Sequence, residues 1–150
     1  MAEQLKYIEK IITMTNKFDN VIYEFIDEPT LFGTNSLDAT HWISALADHA
    51  IAVEEKLPKK HLLAQQLMLG VDFSRDDRIS VNVAQYVEVA ANQIGGPAAL
   101  QNCYQYVKPI EVNETVSALS IPNYYERDMV DASRIESWEF MVGGAQPSTS

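Results

Sequence analysis

Residues 79–94 read ISVNVAQYVEVAANQI, and the period assigned to them decides the fold. Ile79, Val81 and Val83 alternate as in a strand. Over the whole length the helical template fits better, with Ile79, Val83, Tyr86, Val87, Ala90 and Ile94 on one face and Gln85, Glu88 and Asn92 opposite. The stretch is therefore predicted as helix, and the segments on both sides follow that reading. Gly95 and Gly96 end it. Pro97 opens a fifth helix running to about Val107, with Leu100, Cys103, Tyr104 and Val107 inward.

Upstream, residues 1–27 carry a long amphipathic pattern. Leu5, Ile8, Ile11, Ile12, Phe18, Ile22, Phe25 and Ile26 fall on one side of a helix, and Lys6, Glu9, Lys10, Thr13, Asn16, Lys17, Asn20, Glu24 and Asp27 on the other. This first helix is expected to stop near Asp27 and Glu28, before Pro29. Pro29 to Asn35 is a loop pivoting on Gly33. Ser36 is the expected N-cap of a second helix reaching about Lys56, striped by Trp42, Ile43, Leu46, Ala50 and Val53. Pro58 starts a third helix, about Lys59 to Leu69, closed by Gly70. Leu62, Leu63, Ala64, Leu67, Met68 and Leu69 surround it, so it is expected to be the most buried element. Val71 to Arg78 is a polar connection in which Ser74 caps the following turn.

The pattern changes at Lys108 and Pro109. Ile110 to Ile121 is β-branched without a helical stripe. Tyr124 to Arg134 has apolar residues on all sides. Trp138, Phe140 and Val142 alternate with polar or flexible neighbours as in a short strand, and Ala145 to Ser150 reads as a free tail. The expected architecture is mainly α: a five-helix bundle over 1–107, then an extended C-terminal arm over 108–150 with short strands or an irregular helix.

The chain has 150 residues, enough for one domain with a real core. Its formal charge of −10 comes from 21 acidic against 11 basic residues. The acidic share is ordinary and the basic share low, so the imbalance reflects missing Lys and Arg. That composition argues against direct binding to nucleic acid, which needs clustered bases, and against docking on anionic membrane. It suits basic partners. No apolar run approaches transmembrane length, and no secretory leader is expected from the N-terminal residues. A lone Cys103 fits a reducing compartment, so the expected location is cytoplasmic, or a virion within a host cytoplasm.

Candidate chemistry is sparse. His41 and His49 are eight apart on one helix, about 12 Å along its axis, too far to share an ion. Metal-binding helices place ligands three or four apart. His41, Asp48 and Glu55 recur every seven residues, about 10 Å apart, too far for direct proton exchange. His61 reads as a helix-start residue. Cys103 lies on an apolar face, unlike a reactive thiol. Residues 72–78, DFSRDDR, lack the glycine and the distal glutamate of a calcium loop. The acidic groups Asp19, Glu24, Asp27 and Glu28, and Glu126, Asp128, Asp131, Glu136 and Glu139, are interrupted by bases and read as solvated faces. No catalytic, cofactor or metal site is assigned.

Aromatic residues concentrate in the last third, and Tyr and Trp favour interfaces. Tyr124, Tyr125, Met129, Trp138, Phe140 and Val142 are therefore the candidate interface. The leading expectation is a non-enzymatic structural or interaction protein acting through protein–protein contacts, a homo-oligomer or a subunit of a larger assembly. A small viral structural component fits that description. The alternatives are an acidic inhibitor that blocks a basic surface, and a small metal-dependent enzyme using His41 or His49.

Overall fold

The computed structural model describes residues 1–30, 33–67, 70–85, 108–114, 138, 141–142 and 146–147. Among them are two α-helices, α1 (Ala2–Thr15) and α2 (Ser36–Glu54), and five strands: β1 (Ile22–Glu24), β2 (Leu62–Gln66), β3 (Val81–Gln85), β4 (Ile110–Glu114) and β5 (Gln146–Pro147). The fold is α/β with parallel strand pairing, which overturns the expected five-helix bundle. The chain divides into two compact units, Met1–Val81 and Asn82–Ser150.

In the first unit, α1 ends twelve residues before the expected stop at Asp27. The cause is Asn16. Its side chain is buried and bonds the Lys59 backbone on both sides: Nδ2 donates to Lys59 O at 2.9 Å, and Oδ1 accepts from Lys59 N at 3.2 Å. This mimics a strand neighbour and fastens the end of α1 to the segment leading into β2. The chain then turns and continues as β1, parallel to β2 with Ile22 opposite Leu62, Tyr23 opposite Leu63 and Glu24 opposite Ala64. The apparent helical stripe breaks accordingly. Phe18 and Ile22 are exposed, while Tyr23, Phe25 and Ile26 pack on the core.

The second helix forms where expected, but Asn35 is its cap, accepting from Asp38 N at 2.8 Å. Its buried face is Ala39, Ile43, Leu46, Ala47, Ala50 and Val53. Three alanines let the helix lie close to its neighbours. The core they enclose joins Ile12, Leu63, Val71, Phe73 and Ile79 to that face.

The expected third helix is the strand β2. Leu63, Ala64, Gln65 and Gln66 are all buried. Strands covered on both faces lose their alternation and read as continuous runs, and a five-residue run looks alike in either period. Gly70 is not a helix cap but a turn residue at φ +82°, where an added Cβ would lie 2.8 Å from Ser36 Cβ. Gly70→Ala is expected to cost about 1–2 kcal/mol for the backbone alone, and more from the overlap. Denaturant unfolding of Gly70→Ala, with and without Ser36→Gly, separates the two contributions; an unchanged midpoint in both would contradict the close approach.

The connection 71–80 is built from two aspartate turns. Asp72 Oδ1 accepts from Ser74 N at 2.8 Å, and Asp76 Oδ1 from Arg78 N at 3.0 Å. The expected cap Ser74 instead buries its Oγ, which has no hydrogen-bond partner among the described residues. Arg78 clamps this connection to α2. It donates to Asp48 Oδ1 at 2.7 Å, Ser44 O at 3.1 Å and Asp76 Oδ2 at 2.5 Å. Its guanidinium is held charged more firmly than an ordinary arginine, first by the hydrogen bonds it donates to Asp76.

In the second unit, β3 pairs parallel with β4, Asn82 opposite Ile110 and Ala84 opposite Val112, with an irregularity between Ala84 and Gln85. Strand therefore replaces the expected helix over 81–85. β4 pairs in turn with β5, Glu111 opposite Gln146 and Val112 opposite Pro147. The tail expected to be free contributes a strand. Trp138, Met141 and Val142 have helical backbone, not the expected alternating strand. The expected fifth helix, 97–107, lies outside the described residues. No described helix is long and apolar enough to cross a membrane.

Candidate functional site

The first unit carries two connected features, an apolar groove and a buried ion pair behind one of its walls. The groove follows from the early end of α1. Because the chain turns back into β1, the inner face of α1 meets β1 and the N-terminal half of α2 around an open hollow of about 390 Å³. Ile8, Ile11 and Ile12 from α1, Tyr23 from β1, Phe25 after it, and Trp42 and Leu46 from α2 supply apolar walls. The size suits a few side chains of a bound molecule.

Polar groups stand among these walls. Trp42 Nε1 donates to Gln4 Oε1 at 3.2 Å, tying α2 to the first turns of α1. Tyr7 is 67% exposed, an aromatic face offered to solvent. The carboxyls among the lining residues are Glu3 and Glu24, and among the described residues no lysine, arginine or histidine lines the hollow.

Tyr23 links the groove to the second feature. Its hydroxyl shares a 2.7 Å hydrogen bond with Thr15 Oγ1, and Thr15 Oγ1 lies 2.7 Å from Ile11 O, the last turn of α1. Its ring meets the His61 imidazole edge-on, centroids 5.3 Å apart at 68°. His61 in turn is held at both nitrogens. Nδ1 is 2.5 Å from Glu54 Oε1 and Nε2 is 2.8 Å from Phe18 O. A carboxylate and a carbonyl only accept, so the imidazolium form, with an N–H at each nitrogen, satisfies both contacts at once. Glu54 Oε2 also accepts from His61 N at 2.9 Å. The two side chains are almost wholly covered, 3% and 6% exposed.

The protonated state is favoured for two reasons, in order of size. The Phe18 carbonyl and then the Glu54 carboxylate raise the imidazole above its ordinary value, against the opposing effects of burial and of Lys59. Around the pair, Lys60 Nζ bonds Glu54 O at the end of α2, a favourable place for a cation. Lys59 Nζ donates to Lys17 O at 2.7 Å and pairs with Asp19 at 2.5 Å, holding that exposed carboxyl below the usual range. Four segments thus converge on one histidine: the end of α1 and its turn, β1, the end of α2, and the entry to β2.

The residues singled out by sequence are distributed differently. His41 is exposed on α2. His49 is half-buried, and its Nε2 has no hydrogen-bond partner among the described residues. Among the described residues no group of three or more histidines, cysteines or carboxylates could hold a metal ion. Asp48 of the seven-residue row is engaged by Arg78. Of the candidate interface, Trp138 and Val142 are 65% and 83% exposed, while Tyr124, Tyr125, Met129 and Phe140 lie outside the described residues, as does Cys103. Sequence reasoning missed His61, Glu54 and the groove. The available signal was Pro58, in the turn between the end of α2 and β2 across which residues 54 and 61 face each other.

Comparison with known proteins returns no matching family model, no matching curated protein and no matching solved structure.

Proposed function

We propose that this chain is a non-enzymatic interaction protein, and that its first unit takes the apolar side of a partner protein segment into the groove between α1, β1 and α2. The observation that carries the reading is the make-up of the groove: isoleucine, leucine and aromatic walls open to solvent, with carboxyls as the charged lining groups. Aromatic anchors in such hollows contribute most of the energy of protein contacts. The lining favours a segment with cationic flanks. The formal charge of −10 points the same way, because like-charged copies repel while a basic partner is attracted. Trp138 and Val142 of the second unit remain candidates for a separate contact surface.

The probe is a short acetylated and amidated Leu–Lys peptide with leucines at helical i, i+3, i+4 spacing. Calorimetric titration is expected to show saturable binding, weakened at least about tenfold by Tyr7→Gln. A matching Leu–Glu peptide is expected to bind more weakly still. Binding that ignores Tyr7→Gln would reduce the effect to general charge attraction and overturn the reading, as would a peptide that does not bind. Light scattering without peptide is expected to give the mass of one chain, 16.8 kDa. A dimer that Tyr7→Gln dissociates would instead make a second copy the occupant.

A further inference from the structure

We infer that the groove is pH-gated: protonated His61 holds the Tyr23 wall and the end of α1 in the binding geometry, and loss of that proton loosens both. This rests on the groove reading above and concerns the regulation of that same site.

The coupling runs through contacts, not distance. His61 Nε2 bonds the carbonyl of Phe18, within the turn that carries the chain from α1 to β1. His61 Nδ1 bonds Glu54 on α2. The ring also meets Tyr23, which lines the groove and reaches back to Thr15 at the end of α1. One proton therefore serves two of the three elements that make the walls. A neutral imidazole has a single N–H. Whichever tautomer forms, one nitrogen then turns a lone pair toward an acceptor, either the Glu54 carboxylate or the Phe18 carbonyl. Covered from water, that contact changes from attraction to repulsion, and the turn or the Tyr23 contact must give way.

Charged and titratable groups face His61 from several elements. Glu54 comes from α2, Tyr23 from β1, Asp19 from the turn after α1, and Lys59 and Lys60 from the approach to β2. Of these side-chain types and histidine, imidazole alone ordinarily titrates near neutral pH. Glu3 and Glu24 line the groove itself, and lysine in the probe keeps its charge to pH values well above neutral.

The test uses the full chain and the Leu–Lys peptide between about pH 6 and about pH 9. Affinity is expected to fall about fivefold or more across that range, within the usual span of coupling between sites. His61→Gln is expected to flatten the profile. Linkage is reciprocal, so bound peptide is also expected to raise the midpoint of the His61 ring protons in NMR of the unmodified chain. That readout needs no variant and holds even if His61→Gln does not fold. A flat affinity profile, or a His61 midpoint that bound peptide leaves unmoved, overturns the gating and spares the groove. A peptide that fails to bind at every pH overturns the groove reading, and the gating with it.

Discussion

Replacing Glu54 with alanine is expected to lower the unfolding free energy by about 3–5 kcal/mol, read from urea denaturation near neutral pH. The carboxylate is covered and takes both the ring and the backbone N–H of His61. Its removal leaves a covered imidazolium without its counter-charge and strips the entry to β2 of a bond. Alanine is the better helix former, so helix propensity works against the loss and cannot be its source. The pH dependence has a definite sign. The imidazole is raised in the folded state, so the contribution of the pair is complete below the unfolded value near 6.5 and fades as pH rises through the higher folded value. The gap between the unmodified chain and Glu54→Ala should therefore narrow toward alkaline pH. Glu54→Gln keeps the shape and one acceptor, and should lose less. A loss below about 1 kcal/mol for Glu54→Ala is what a solvent-screened surface pair would give, and would contradict the buried arrangement.

The second large effect is expected at Ile43. It is fully buried at the centre of the inner face of α2, in the cluster with Ile12, Leu63, Val71, Phe73 and Ile79. The residues four before and four after it on that face, Ala39 and Ala47, have no longer side chain to swing into a void. Ile43→Ala is expected to cost about 2–5 kcal/mol, combining lost burial with a cavity that fills poorly. Leu37→Ala on the same helix makes the control, because Leu37 is exposed. It should stay within about 0.5 kcal/mol. Similar losses at the two positions would mean that α2 buries a different face.

These two positions also differ in how plainly the sequence signals them. Ile43 belongs to the stripe legible in α2, a long element with one unbroken period and a capping signal one residue from the expected cap. Its neighbour in space, β2, was legible only as apolar and buried. Leu63 to Gln66 are buried without alternation, and so short a run carries no period to separate strand from helix. Ile79, Val81 and Val83 did alternate, but residues beyond Gln85 outweighed them in a longer helical template. The stripe of α1 failed for another reason: Asn16 stops the helix by bonding a segment more than forty residues away, a tertiary cause with no local signature. The site was least legible of all. Glu54 and His61 each look like surface residues, and only the turn at Pro58 makes them partners. The groove exists because α1 stops early, and a helix continued to Asp27 leaves no such hollow.

We propose that partner segments enter the hollow bounded by α1, β1 and α2. The Trp42 indole N–H reports on it directly, since it points to Gln4 among the lining residues. Two-dimensional ¹H–¹⁵N NMR of the chain during titration with the Leu–Lys peptide should move the Trp42 indole signal together with the amides of Tyr7, Ile8 and Ile11, leaving the Trp138 indole in place. Shifts that spare Trp42 and gather at Trp138, or scatter over the carboxylates of the whole surface, would contradict it.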